Sequence, residues 1–186
     1  MKTLNLFNIE TIDHIVTPED FAEITLDSPA QSILTDFKYH KALVIDWSTK
    51  AVEAQLLMQK AHVNMKLVLD ENKRICGVVT NQNVSNQELV KLVMQGDTRE
   101  EILVTDVMQP RVELKALDYD EISTSTVRQV LNTLESNALQ HCLVVEHSQH
   151  QIRGLISSSD IARKLHISIN ANAAPTFADI FVAIHH

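Results

Sequence analysis

Residues Gly154 to Leu165 read GLISSSDIARKL, and two of them, Ser157 and Asp160, have the side chains and spacing to hold a ligand. A strand ending at Ile156 hands over to a helix between Ser157 and Asp160. A helix N-terminus presents free backbone N–H groups and a partial positive charge, which suits phosphate oxygens. Ser157 adds a hydroxyl donor. Asp160, one turn into the helix, can accept hydrogen bonds from vicinal ribose hydroxyls. The same pair also fits a capping-box variant, in which the aspartate only stabilises the first turn. The junction occurs earlier as GVVTNQNV, Gly77 to Val84, with Thr80 for Ser157 and Asn83 for Asp160. Asparagine accepts without charge assistance, so this first copy is expected to be the weaker site or an empty one.

The elements that position the two junctions also repeat. LVLDENKRICG from Leu67 matches LVVEHSQHQIRG from Leu143, each an apolar strand, a polar turn and a second strand. Upstream, Ala51, Ala54, Gln55 and Met58 fall on Val127, Val130, Leu131 and Leu134. That spacing is one face of an amphipathic helix, interrupted only by Gln55. Thr49 and Ser125 take equivalent positions where an N-cap is expected. The chain therefore divides into an N-terminal segment 1–28, a first repeat 29–96, a linker 97–103, a second repeat 104–167 and a tail 168–186. The predicted fold class is α/β: two strand-helix-strand-strand-helix repeats packed with pseudo-twofold symmetry.

With the lead-in VTDVMQP, the hairpin LVVEHSQHQIRGLIS and the Gly-apolar-x-Ser-x-x-Asp junction, the chain resembles a tandem pair of CBS domains, the family named after cystathionine β-synthase. The resemblance runs from about Pro29 to Ile167. The first lead-in, SPAQSILTDF, is degenerate, with Ile33 and Leu34 where Val107 and Met108 stand. The resemblance implies a stand-alone regulatory module, of the kind called a Bateman module. Such a module binds an adenosine-containing ligand (AMP, ADP, ATP or S-adenosylmethionine) in the cleft between repeats. It places Asp160 at the ribose and Ser157 near phosphate, with Thr80 and Asn83 as the weaker second site. Ile122, Cys142 and Leu143 are candidates to flank the adenine, with plain core packing as the other reading, and Arg153 and Arg163 to neutralise phosphate, with exposed solubilising charge as the other reading. The alternative is an interaction module that dimerises and whose clefts are vestigial. Either way the resemblance implies a homodimer and, for the sensing reading, a regulated partner protein of unknown identity. No cofactor is required.

Composition removes other classes. The formal net charge of −8 provides no basic footprint for nucleic acid. No run approaches the ~20 apolar residues of a membrane span. MKTLNLFNIETIDH lacks the apolar core of a signal peptide, so a cytoplasmic protein is expected. Cys76 and Cys142 lie in apolar runs and read as buried, reduced thiols. His141, His147 and His150 surround one hairpin without a zinc-ligand spacing, so no metal site is assigned. Only three glycines occur, and no phosphate-binding loop or nucleophile elbow is present, so no catalytic residue is assigned and no enzymatic activity is expected. The tail TFADIFVAIHH places Phe177, Ile180, Phe181 and Ile184 on one helical face behind a capping Thr176. A face so apolar will be covered, by its own domain or by another subunit in an assembly, the second being the favoured expectation. A short helix at FAEI, residues 21–24, is also expected.

Overall fold

The computed structural model describes residues 23–135, 139–168 and 175–185. In chain order the elements are β1 (Leu34–Asp36), β2 (Val44–Asp46), α1 (Ala51–Ala61), β3 (Met65–Leu69), β4 (Ile75–Thr80), α2 (Asn86–Met94), α3 (Val104–Val107), β5 (Gln109–Pro110), β6 (Ala116–Asp118), α4 (Tyr119–Thr124), α5 (Val127–Leu134), β7 (His141–Glu146), β8 (Gln151–Ser157), α6 (Ser158–Lys164) and α7 (Phe177–His185). The helix expected at FAEI begins outside the described residues.

Two four-stranded sheets form, in the orders β1-β8-β7-β6 and β2-β3-β4-β5. The first strand of each repeat crosses to the other repeat's sheet. β1 runs antiparallel to β8, with Leu34 opposite Ile156 and Asp36 opposite Gly154. β5 runs antiparallel to β4, with Val78 opposite Gln109 and Gly77 opposite Pro110. This reciprocal exchange stitches the repeats together, and it explains the aligned glycines. A Cβ on Gly154 would lie 2.6 Å from the Thr35 carbonyl oxygen, and one on Gly77 would lie 2.7 Å from that of Gln109. Only a residue without a side chain lets the crossing strand approach so closely. Both hairpins also carry an irregularity at the equivalent step, Val68/Leu69 and Val144/Val145.

Strand periodicity sorts the side chains into three apolar clusters. Val68 and Val79 face α1 and α2 in the first repeat, with Ala54, Met58 and Leu89. Cys142, Val144 and Ile156 face the second repeat's helices, with Ile122, Leu131 and Ile161. Met65, Leu67 and Val78 of one sheet meet Leu143, Leu155 and Ile152 of the other. The sheets therefore pack face to face with helices outside, as the predicted class requires.

The helix caps lie one residue later than expected. Lys50 and Thr126 are the N-caps, and Thr126 forms a capping box with Gln129. Thr49 and Ser125 instead accept hydrogen bonds through their carbonyls from Val104 and Ala30, the lead-ins that cross over. The apolar face of α7 is covered by its own chain: Phe177 and Ile180 are fully buried in the second repeat's core. α7 begins with reciprocal bonds between Thr176 and Asp179. It rests on α5 and α6. Leu131 supplies the apolar seat on α5, and Gln55 holds the matching place on α1.

Candidate functional site

A cleft of ≈ 490 Å³ opens between the repeats where β4 ends, within the ~300–1,000 Å³ range of small-molecule sites. Its apolar floor comes from both sheets, through Met65, Val78, Leu143 and Leu155. Thr80, Gln82 and Asn83 form one polar wall. Gln109 of β5, with Glu113 and Lys115 from the segment joining β5 to β6, forms another, and Gln140 and His141 close the β7 end.

The polar wall at Thr80 is a turn closed on itself. Asn83 Oδ1 accepts from the Thr80 backbone N–H at 2.9 Å and from its hydroxyl at 2.8 Å. The Asn83 N–H donates back to Thr80 Oγ1 at 3.3 Å. A backbone N–H can be met only by an acceptor, so these bonds orient the Asn83 amide. Its nitrogen makes no hydrogen bond among the described residues, and it can donate to a ligand oxygen. This turn delays the following helix, which starts at Asn86 behind a Ser85 cap accepting from the Glu88 N–H. The expected strand-to-helix junction is thus a strand-to-turn junction in the first repeat.

The second junction is built differently. α6 starts directly after β8, and the Ser157 side chain makes no cap bond. The capping-box geometry considered for Ser157 and Asp160 occurs instead at Thr80 and Asn83. Asp160 pairs with Arg163 at 2.6 Å. Ser158, fully buried, donates its hydroxyl to the carbonyls of Gln140 and Pro175 and so ties α6 to β7 and to the segment before α7.

Of the sequence-derived candidates, Thr80, Asn83 and Leu143 line this cleft; Asp160 and Ser157 stand at the other junction. Ile122 and Cys142 are buried on the opposite side of the second sheet, in the core under the helices. The correction for Cys142 follows from strand geometry: adjacent residues on β7 point to opposite faces, so Cys142 and Leu143 cannot both flank one ring. Burial pushes the Cys142 thiol up to about 11, so it keeps its proton at neutral pH.

Arg153 is engaged by two carboxylates. Its Nε and Nη2 each meet a different Asp36 carboxylate oxygen at 2.8 Å, and Nη1 meets Glu146 at 2.8 Å. Its guanidinium stacks 4.2 Å over the Tyr119 ring. The hydrogen bond from Arg153 holds the Asp36 carboxyl below its ordinary range, and the carboxylates of Asp36 and Glu146 hold the guanidinium above its own. Arg163 is largely exposed and committed to Asp160. The cation in the cleft is Lys115.

The CBS domain profile matches residues 104–167. The chain thus carries a CBS-domain match over its second repeat. Its fold is shared by an uncharacterised conserved protein from Pyrococcus horikoshii, 19% identical, over 80% of this chain and 99% of that one with a TM-score of 0.57. A conserved CBS-domain protein of unknown function from Thermoplasma acidophilum matches with a TM-score of 0.53 at 18% identity, over 82% of this chain and 77% of that one. CBSX2, solved in complex with AMP, matches with a TM-score of 0.51 at 19% identity, over 73% of this chain and 94% of that one. No curated protein sequence matches.

The two repeats are unequal at the cleft. Ala116 and Val44 begin equivalent strands, each paired in parallel with the hairpin's first strand, so Lys115 stands where the first repeat has Leu43. Comparing the repeats strand by strand reveals that substitution. Sequence reasoning missed Lys115, Glu113 and Gln109 because they lie outside the repeated junction motif. His141 was weighed only as a metal ligand. Among the described residues no cluster of three or more His, Cys, Asp or Glu could hold a metal ion. No described helix is long and apolar enough to cross a membrane.

Proposed function

We propose that this CBS pair is a ligand-sensing regulatory module, binding an adenosine-containing ligand in the cleft at Thr80 and Asn83 and acting through a partner protein rather than by catalysis. The observation that carries the reading is the cleft itself: an apolar floor contributed by both sheets, with donors and acceptors at its walls and Lys115 as its cation. A base stacks on such a floor, while the Asn83 amide and Lys115 meet hydroxyl or phosphate oxygens. The AMP complex of CBSX2 supports the ligand class. A ligand that contacts both repeats shifts the module between arrangements by its differential affinity for them.

Thermal-shift and calorimetric titrations with AMP, ADP, ATP and S-adenosylmethionine test this. At a hundredfold excess over Kd, a ligand stabilises the fold by about 2.7 kcal/mol. No shift and no heat with any of the four would refute ligand sensing. The second reading, an interaction module with vestigial clefts, is favoured by a different observation. The first repeat's helices leave Leu56, Leu57, Val90, Val93 and Met94 exposed, Met94 by 83%. Apolar side chains concentrated on one pair of helices suit packing against another chain.

A further inference from the structure

We propose that His141 contacts the ligand in the Thr80–Asn83 cleft and takes up a proton when an anionic ligand such as a nucleotide phosphate binds, so that the site tightens in acid. This deepens the ligand-sensing reading and rests on it. Two geometric facts carry it. His141 lines the cleft at the start of β7, and its side chain makes no hydrogen bond among the described residues, unlike Asn83, Asp160 and Arg153. A half-buried imidazole without a partner is a polar group that a ligand can satisfy.

The charges around it set the direction. Asp160 on α6 favours the imidazolium, but burial outweighs it and lowers the His141 pKa to about 4. Lys115 and Glu113, of opposite charge, also line the cleft. Thr80, Asn83 and Gln140 are uncharged. The free cleft therefore holds a neutral histidine at neutral pH. An anion placed on the floor adds negative charge next to the ring. That change favours the protonated form. The Nδ1 or Nε2 lone pair takes a proton from solvent, and the resulting N–H donates to the anion. Linkage then requires that affinity rise as pH falls.

The test uses the full chain and AMP. In wild type, the His141 ring is followed by NMR across the pH range with and without saturating AMP, and its titration is expected to move up when AMP binds. Calorimetry then compares wild type with His141→Gln, because AMP's own phosphate also titrates near pH 6. Because the free ring titrates at about 4, a bound ring titrating at about 6.5 is what makes binding roughly tenfold tighter at about pH 5.5 than at about pH 7.5. Wild type is expected to tighten by about tenfold more than His141→Gln between about pH 7.5 and about pH 5.5. AMP binding with an unmoved His141 titration, or with the same pH dependence in both proteins, overturns this inference and leaves the ligand reading standing. Absence of AMP binding at every pH overturns both. The NMR arm needs only wild type, so poor folding of the variant leaves the question decidable.

Discussion

Each repeat has a glycine that cannot be replaced without moving a backbone. A methyl at Gly154 would press on the Thr35 carbonyl and on Leu34, both part of the crossing strand. Gly154→Ala is expected to cost about 1–3 kcal/mol, the usual range for overpacking a tight contact, measured as a lower midpoint in urea unfolding. An unchanged midpoint would mean that β1 does not sit this close. At the ligand junctions the sequence ranks Asp160 above Asn83, because a carboxylate is the stronger acceptor. The structure points the other way, since Asn83 lines the cleft and Asp160 is paired with Arg163. Asn83→Ala is therefore expected to weaken AMP binding more than Asp160→Ala, by roughly tenfold, the equivalent of one lost hydrogen bond in an otherwise intact site. Calorimetric titration of both variants decides the order.

Between elements, the strongest single tie is Arg153, which joins β8 to β1, to β7 and to the Tyr119 ring of α4. Arg153 and its carboxylate partners are only 12–15% exposed, so removing the guanidinium leaves Asp36 and Glu146 poorly solvated and unpaired. Arg153→Ala is expected to cost about 3 kcal/mol in chemical unfolding. Asp36 has a depressed folded pKa, so its share of stability is complete above the ordinary carboxylate value of 3.8 and fades as pH falls through the folded value. The acid side of the wild-type stability profile should accordingly be steeper than that of Arg153→Ala. In the first repeat Cys76 and Pro110 hold the places of Arg153 and Asp36, so β5 has no such clamp. α7 is the other asymmetric element. Phe177 is completely buried, and Phe177→Ala is expected to cost about 3–5 kcal/mol by the same unfolding measurement. A loss below about 1 kcal/mol would show that α7 is not part of the folded second repeat.

The whole molecule is a pseudo-symmetric pair with one capped end. α7 covers α5 and α6, while the exposed residues of α1 and α2 have no such cover among the described residues. We propose a homodimer in which those first-repeat helices meet a second copy. Light scattering at micromolar concentration is expected to report two chains. Met94→Glu, which places a charge on that face, is expected to shift the population towards monomer. A wild-type monomer under those conditions would refute the assembly.

The repeat order, the packed α/β class, the aligned glycines and the amphipathic helices were all legible in the sequence, because each is a local pattern of period 2 or 3.6 copied twice. Gln55 against Leu131 also stands in the sequence, and it marks which repeat can seat α7. The strand exchange was not legible, since β1 and β5 are two or three residues long and their partners lie more than a hundred or about thirty residues away. The cleft was only half legible. Thr80, Asn83 and Leu143 come from repeated motifs, but Lys115, Gln109 and His141 join them through packing of one sheet on the other. The side of a strand that each residue faces follows from sequence once the register is known. Which polar groups already satisfy one another, as Asn83 does with Thr80 and Arg153 with Asp36, is decided only when the tertiary fold brings donors within reach of acceptors.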